Sequence, residues 1–140
     1  MLEECDVIVV AASLTPETEG LFGRQAFFGM KRGAHLANIA RGAIVETGAL
    51  VEAPERGHLA GYAGDVWNPE PAPPDHPWRT MADYAMTPHV SGTTLEARER
   101  YAVGIRDSPI RFIEDRPIRD DHVMVSGGEI QSGSYRAIYG

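Results

Sequence analysis

The chain has 140 residues, which are enough for one domain with a sizeable core and too few for two large ones. Its 13 basic and 20 acidic residues give a net charge of −7 without a basic stripe, which argues against a nucleic-acid partner. The longest apolar run, residues 7–12, is too short to span a bilayer, and the acidic start lacks the basic region of a signal peptide, so we predict no membrane association.

The cysteine and histidine content limits the kinds of site that the chain can hold. Cys5 is the only cysteine, which excludes a disulfide framework and a cysteine metal site and favours a reducing, cytoplasmic compartment. No pair among the five histidines has the spacing of metal ligands, so we predict no metal site. We interpret four of the histidines as structural or exposed, namely His35, His58, His76 and His122.

The first half of the chain alternates patterns typical of strands and of helices. Residues 6–12 form an apolar, β-branched run without polar alternation, which predicts a strand covered on both faces and therefore a parallel sheet. Thr15 can cap a helix whose first position is Pro16. Residues 23–31 have helical spacing and end in a basic turn with Gly33, and residues 35–40 predict a second buried strand.

The second half continues the alternation around one irregular loop. Residues 46–53 predict a helix that stops at Pro54, and residues 59–67 and 85–90 predict strands. Between these strands, five of the twelve residues 68–79 are proline, which predicts a structured loop anchored by tryptophans at 67 and 78. Thr93 or Thr94 can cap a long helix to about Glu114, broken or kinked at Pro109.

This order of elements predicts an α/β fold, a partial Rossmann-like, doubly wound parallel sheet followed by an irregular tail. We place residues 1–115 in the carboxyl-terminal part of a nucleotide-binding domain and residues 116–140 in the tail. The G-x-G-x-x-G turn that holds a pyrophosphate in a complete domain of this kind does not occur in the sequence.

Three side chains with useful chemistry follow three different predicted strands. Arg41 follows the second strand, Asp65 ends the third and His89 ends the fourth, while Glu70 lies in the proline-rich loop. Because the carboxyl ends of parallel strands share one edge of a sheet, where open α/β sheets bind ligands, we predict a site there.

These residues lie in stretches that carry a family resemblance. From Cys5 to about Gly128 the sequence resembles the carboxyl-terminal portion of NAD-dependent formate dehydrogenases, which are members of the D-2-hydroxyacid dehydrogenase superfamily. The signals Ala-Arg-Gly, Gly-Asp-Val and Thr-Pro-His are common to the superfamily. The narrower resemblance to formate dehydrogenases is carried by GYAGDVW, DHPWRT and HVSGTTL.

The resemblance implies hydride transfer from formate to NAD, giving carbon dioxide and NADH, in a homodimeric protein. Arg41 matches the family's substrate-binding arginine, His89 matches its catalytic histidine, which also lies against the cofactor, and Asp65 matches the residue that contacts the nicotinamide carboxamide. The remaining matches to cofactor-contact positions are Pro16, Glu17, Val90, Ser91 and Gly92.

Glu70 departs from the formate dehydrogenase pattern, which has glutamine at this position, whereas hydroxy-acid enzymes of the superfamily have glutamate. Oxidation of a hydroxyl group requires removal of a proton, and a carboxylate beside histidine supports the imidazole as a general base. We therefore include Glu70 among the catalytic candidates. Pro54 and Pro109 are further departures, because each interrupts a helix of the family.

Alternatives to the formate dehydrogenase interpretation remain at this point. Glu70 alone favours an NAD-dependent D-2-hydroxyacid dehydrogenase with a His-Glu pair, and a non-catalytic remnant that dimerises through its helices is the other alternative. We expect negligible catalysis by the isolated chain. The preference between NAD and NADP depends on a ribose-binding acid in the part of the domain that this sequence does not include.

Overall fold

The computed structural model describes residues 1–120, 123 and 125–131. The chain forms two compact units, Met1–Val90 and a second unit that begins at Ser91. The first unit contains a sheet of four parallel strands, which confirms the predicted fold class. In spatial as well as chain order, these strands are β1 (Val7–Val10), β2 (Ala34–Asn38), β3 (Leu59–Gly64) and β4 (Tyr84–Met86).

The core of the first unit lies where two helices pack on this sheet. These helices are α1 (Arg24–Phe28) and α2 (Thr47–Glu55), and a short 3-10 turn, Gly42–Ile44, precedes α2. Phe27, Ile44 and Leu50 are fully buried in one hydrophobic cluster that includes residues of β2 and β3. Burial of these apolar side chains is the main favourable contribution to the stability of this unit.

The prediction that residues 6–12 form a strand covered on both faces is wrong for this chain. β1 is an edge strand of the sheet, and only Val10 is buried, whereas Val7 is 59% and Val9 is 55% exposed. An apolar run without alternation shows that both faces of a strand are apolar. It does not show that other residues of the same chain pack against both faces.

The helix predicted to begin at Thr15 and Pro16 is a single turn. The amides of Thr18 and Glu19 both bond the Thr15 carbonyl, at 3.1 and 3.0 Å. Gly20 then adopts a left-handed backbone angle, φ 65°, and its amide bonds the Ala43 carbonyl at 2.9 Å. This bond to the chain after β2 takes the amide that would otherwise continue the helix.

Pro54, which was expected to stop a helix, and Pro109, which was expected to break or kink one, both lie inside helices. α2 includes Pro54 in its last turn, and α3 (Leu95–Ile113), in the second unit, continues through Pro109. A proline removes one amide from a helix, so it frees the carbonyl four residues earlier, which in α3 belongs to Ile105. Ile105 is 74% exposed, so water can hydrate that carbonyl. The predicted cap is confirmed, because the Thr94 hydroxyl accepts from the Ala97 amide.

The tail predicted to be irregular contains a short hairpin within the described part of the second unit. β5 (Val125–Ser126) and β6 (Glu129–Ile130) pair antiparallel across Gly127 and Gly128, whose φ angles are 59° and 84°. Two consecutive positive φ angles are the geometry of a tight hairpin turn, which glycine adopts readily. Residues 121, 122, 124 and 132–140 of the predicted tail lie outside the described residues, and with them His122, and the boundary at 115 stays a prediction. None of the helices in the described ranges is both long and apolar enough to cross a membrane.

Burial of Tyr62 makes the stability of the chain sensitive to alkaline pH. Tyr62 is 3% exposed, and burial raises the pKa of its phenol to about 12, an effect that the neighbouring Asn38 amide partly offsets. In an unfolded chain tyrosine ionises near pH 10, so the folded chain holds a proton that the unfolded chain has lost. We expect the free energy of unfolding to fall by about 3 kcal/mol as the pH rises from about 10 to about 12.

Denaturant unfolding of the wild type and of Tyr62→Phe at several alkaline pH values measures this contribution. The substitution should remove the contribution of Tyr62, so that the free energy of unfolding of the variant falls less steeply with rising pH. Parallel pH dependences of the two proteins would contradict it.

Candidate functional site

The proline-rich loop, residues 68–79, is held by packed aromatic side chains. Trp78 is fully buried, and its ring lies 6.1 Å from that of Trp67. His76 fastens the two ends of the loop, because its Nδ1 accepts from the Trp78 amide at 3.2 Å and its Nε2 donates to the Asn68 carbonyl at 2.7 Å. These two bonds set the tautomer of the His76 ring. The prediction of a loop anchored at residues 67 and 78 is confirmed.

Glu70 and His89 meet at the carboxyl edge of the sheet. His89 Nδ1 lies 2.6 Å from Glu70 Oε1, which is the length of a charge-assisted hydrogen bond. The two side chains are 39% and 37% exposed, so water screens their charges and the contact contributes little to stability. The main effect of the contact is to orient the His89 ring. With Nδ1 donating to Glu70, the other ring nitrogen, Nε2, remains for a ligand.

Asp65 supports the backbone on which His89 stands. The Asp65 carboxylate is 7% exposed, and its Oδ1 accepts from the Thr87 hydroxyl and from the Val90 amide at 2.8 Å. These partners lie on either side of His89, whose backbone is left-handed at φ 57°. A histidine in this region is strained and persists only where its surroundings fix it. Asp65 provides part of that fixation.

Arg41 follows β2 through a turn that a buried amide shapes. Asn38 is fully buried, its Nδ2 donates to the Arg41 carbonyl at 2.9 Å, and its Oδ1 accepts from the Ala40 amide at 3.0 Å. The Arg41 side chain is exposed, and its Nη1 donates to the Ala40 carbonyl at 2.7 Å. Most of the guanidinium fork therefore remains for a ligand, and the structure shows no contact from it to Glu70 or His89 among the described residues.

Gly42 brings the Arg41 turn against the start of the proline-rich loop. A Cβ atom on Gly42 would stand 2.1 Å from the Trp67 carbonyl oxygen and 2.8 Å from the Asn68 nitrogen. The two backbones therefore touch, and Glu70 lies only two residues beyond Asn68. This contact is the structural link between Arg41 and the pair formed by Glu70 and His89.

A cavity of about 340 Å³ on the same unit is lined by Glu70 and by residues that precede His89 in the chain. Its wall combines apolar surface with one carboxylate and one guanidinium, which is the composition of a small-molecule site. The side chains that line it include Trp67, Glu70, Arg79, Met86, Thr87 and Pro88.

Of the other predicted cofactor contacts, two lie far from this cluster in the chain and three directly follow His89. Pro16 and Glu17 are exposed in the single turn that follows β1. A hydrogen bond from the Thr15 hydroxyl, and then one from its own amide, lowers the pKa of the Glu17 carboxyl. Val90 ends the first unit, with its amide on Asp65, whereas Ser91 and Gly92 are exposed at the start of the second unit.

Three residues of the site were not singled out from the sequence. Asn38 supports Arg41, Thr87 supports the His89 turn, and Arg79 contacts the proline-rich loop. Asn38 had a signal, because an amide inside an otherwise apolar strand needs hydrogen-bond partners. Thr87 and Arg79 lie in the quoted stretches Thr-Pro-His and DHPWRT, but a threonine after a strand and an arginine in a loop have no chemistry that by itself indicates a site.

Removal of the Asp65 carboxylate should destabilise the His89 turn. In Asp65→Ala the Thr87 hydroxyl and the Val90 amide lose a charged acceptor, so we expect the free energy of unfolding to fall by about 3 kcal/mol. Asp65→Asn keeps an oxygen that accepts both bonds and should lose less than half as much. Denaturant unfolding of the three proteins measures the difference. Equal losses in both variants would contradict the role given to these two bonds.

Comparisons with known proteins show the family to which the chain belongs. Residues 1–91 match the NAD-binding domain of D-isomer specific 2-hydroxyacid dehydrogenases. The chain is 51% identical over 130 residues to the formate dehydrogenase of Pseudomonas sp. (strain 101), covering 93% of this chain and 32% of that protein. It is 47% identical over 132 residues to the mitochondrial formate dehydrogenase of Hordeum vulgare, covering 94% of this chain and 35% of the relative.

A solved structure gives the same result for the fold. The NAD-dependent formate dehydrogenase of Staphylococcus aureus, in complex with NAD, superposes with a TM-score of 0.79 at 50% identity. The match covers 89% of this chain and 38% of that one. The chain thus spans about a third of the length of the curated relatives that it matches.

Proposed function

Because this chain belongs to the family of D-isomer specific 2-hydroxyacid dehydrogenases, through its NAD-binding domain, we propose that it forms the carboxyl-terminal portion of an NAD-dependent formate dehydrogenase. The observation that carries the proposal is the identity of 47 to 51% to formate dehydrogenases over more than nine-tenths of the chain. The reaction is the oxidation of formate to carbon dioxide with formation of NADH. Catalysis by these 140 residues alone should be negligible, since they span a third of such an enzyme.

The donor set of the site fits the nicotinamide end of NAD. When bound, NAD supplies the ring position that receives a hydride. Asp65 offers a buried carboxylate that accepts from amide groups, as its bond with the Val90 amide illustrates, and so it suits a carboxamide. The pyrophosphate end requires a glycine-rich turn, and no G-x-G-x-x-G occurs in the 140 residues. The further proposed cofactor contacts of this chain are Pro16, Glu17, Val90, Ser91 and Gly92.

Arg41 is the proposed binding residue for the formate carboxylate. A guanidinium presents parallel donors that match the two oxygens of a planar carboxylate. The structure supports this role because Arg41 leaves most of its fork to a ligand, while Asn38 and Gly42 fix its backbone. A bidentate contact sets the direction of the formate C–H bond. When this bond breaks, the hydrogen leaves with both bonding electrons for the nicotinamide ring, and carbon dioxide remains.

His89 is proposed to donate a hydrogen bond from Nε2 to the substrate. While ionised Glu70 accepts from Nδ1, Nε2 carries a proton only if the ring is an imidazolium. With this Glu70, the donor form of His89 is therefore the charged form. A glutamine at position 70 could instead donate its amide hydrogen to Nδ1, and a neutral ring would then keep the proton on Nε2.

The contact between Glu70 and His89 also favours a second candidate, a D-2-hydroxyacid dehydrogenase. A neutral His89 that donates from Nδ1 to Glu70 has a free lone pair on Nε2. Such a ring can take the proton of a substrate hydroxyl as the hydride leaves the carbon. Formate has no such proton, so the substrate separates the two candidates.

The test measures NADH formation from formate, D-lactate and D-glycerate in parallel. It uses this chain alone and a longer protein in which the upstream part of a close formate dehydrogenase precedes it. We expect activity only in the longer protein and only with formate. Turnover of D-lactate or D-glycerate in place of formate would favour the second candidate. Inactivity of a folded longer protein towards all three substrates would leave the non-catalytic remnant.

Two further properties of the whole protein are proposals. A homodimer is supported by apolar side chains of α3 that are strongly exposed, among them Ile105 at 74% and Phe112 at 79%. A cytoplasmic location is supported only by the lone Cys5, and it is tested by fractionation of the source cells.

A further inference from the structure

Arg79 makes three contacts that converge on the proline-rich loop. Its Nε donates to the Pro73 carbonyl at 2.9 Å, and its Nη2 donates to the Ala72 carbonyl at 3.1 Å. Its guanidinium also stacks on the Trp67 ring, with the central carbon 5.0 Å from the ring centre. The backbone of Arg79 is held as well, because its carbonyl accepts from the Tyr84 hydroxyl at 2.7 Å.

These contacts compensate for what the loop lacks. Five of the twelve residues 68–79 are proline and have no amide hydrogen, so the loop offers few backbone donors to its own carbonyls. The fork of Arg79 supplies two donors to adjacent carbonyls, two and three residues beyond Glu70. A flat guanidinium can donate to both carbonyls and stack on Trp67 at once, whereas the ammonium of lysine cannot.

The stacked ring extends this arrangement to His89. Trp67 Nε1 donates to the Thr87 carbonyl at 2.9 Å, two residues before His89. Arg79 therefore bonds the loop that carries Glu70 and stacks on Trp67. Trp67 in turn bonds the segment that carries His89. The contact of 2.6 Å between Glu70 and His89 then joins the two segments directly.

We propose that Arg79 is a positioning residue, which holds the Glu70 loop against Trp67 so that Glu70 accepts from His89 Nδ1 and thereby selects the tautomer of the catalytic imidazole. The inference rests on the proposed function, because a proton held on Nδ1 decides what His89 offers a substrate at Nε2: the charged ring donates there, and the neutral ring accepts. Arg79 itself acts through Glu70 and touches no reacting atom.

A matched arginine elsewhere in the chain provides the control. The guanidinium of Arg24 also stacks on an aromatic ring, that of Phe28, at 4.8 Å from the ring centre. It also makes a bidentate contact, with the Glu52 carboxylate at 3.0 and 3.1 Å. Arg24 lies on α1, away from the proline-rich loop in the chain. Arg24→Gln thus removes the same kinds of contact without releasing Glu70.

The test reads the tautomer of His89 from the ¹⁵N chemical shifts of its two ring nitrogens, at about pH 9, where an ordinary imidazole is neutral. The wild-type chain should hold His89 mainly as the Nδ1–H form. Arg79→Gln and Arg79→Lys should reduce the Nδ1–H fraction about twofold or more, toward the Nε2–H form that a free imidazole prefers. Glu70→Ala gives the fully released reference, and Arg24→Gln should match the wild type.

Each outcome decides the matter. An unchanged tautomer in folded Arg79→Gln overturns the proposal, and so does an equal change in Arg24→Gln. If Arg79→Gln fails to fold, Arg79→Lys decides, and loss of the fold in both variants also overturns the proposal, since Arg79 would then serve the whole unit. The measurement needs neither NAD nor formate. A tautomer change together with an inactive longer protein would therefore refute the proposed function and leave the positioning role intact.

Discussion

Gly42→Ala is expected to be the most damaging single-methyl change in the first unit. The new Cβ would stand 2.1 Å from the Trp67 carbonyl oxygen and 2.2 Å from its carbonyl carbon. Both are backbone atoms, so no rotation of a side chain relieves the overlap, and the Arg41 turn or the start of the proline-rich loop must move. We expect the free energy of unfolding to fall by about 3 kcal/mol or more.

The same displacement should affect the site in a longer, active protein. Arg41 precedes Gly42, and Glu70 follows the contacted segment, so a shift separates the proposed substrate-binding group from His89. A displacement of about 1 Å can lower a rate about a hundredfold. The expected loss in kcat/KM with formate is therefore about two orders of magnitude.

Gly48→Ala is the matched control for this substitution. Gly48 lies in α2, and a Cβ atom there would meet nothing within 4 Å. Alanine is the better helix former, so we expect a gain of about 0.5 to 1 kcal/mol in the free energy of unfolding. Denaturant unfolding of both variants measures the contrast. Wild-type stability in Gly42→Ala would refute the close backbone contact.

The sequence was sufficient to predict the parallel sheet and the edge at which the site lies. Apolar strands separated by helical segments fix the direction of the strands, and the residues that follow them must then share one edge. This reasoning predicted that Glu70 and His89 would be near each other. It could not predict a contact of 2.6 Å, because that distance depends on Asp65, Trp67 and Arg79.

The wrong predictions share an origin in local sequence patterns, which carry no information on distant contacts or on exposure to water. The helix expected at Thr15 is cut short because the Gly20 amide bonds Ala43, which is far along the chain. The exposed face of β1 has the same apolar pattern as a covered one. Pro109 does not break α3, because the carbonyl that it frees belongs to Ile105, a residue that is 74% exposed, so water can hydrate it, a factor that local propensity does not include.

Glu70→Gln is expected to remove most of the pH dependence of formate oxidation. With Glu70, His89 donates from Nε2 only as an imidazolium, so kcat/KM should decline about tenfold or more as the pH of the assay rises from about 6 to about 9. With glutamine, a neutral ring keeps the Nε2 proton, so the profile should vary less than about twofold. The measurement is kcat/KM with formate across this range in the longer protein.

A second carboxylate gives the control for a simple change of charge. Glu52 is bonded to Arg24 and Arg56 on the helical side of the sheet, so Glu52→Gln removes one negative charge away from His89. Its pH profile should follow that of the wild type. A flat wild-type profile that Glu70→Gln leaves unchanged would contradict the role of Glu70.

The most direct test of the central claim uses deuterated formate and NAD with the longer protein. If Arg41 and His89 form a working formate site, each NADH formed should carry one deuterium at C4 of the nicotinamide, and Arg41→Ala should abolish its formation. NADH without deuterium would show that the hydride comes from another compound. A folded longer protein that forms no NADH from formate, but forms it from D-glycerate, would contradict the account and assign the pair of Glu70 and His89 to a hydroxy acid.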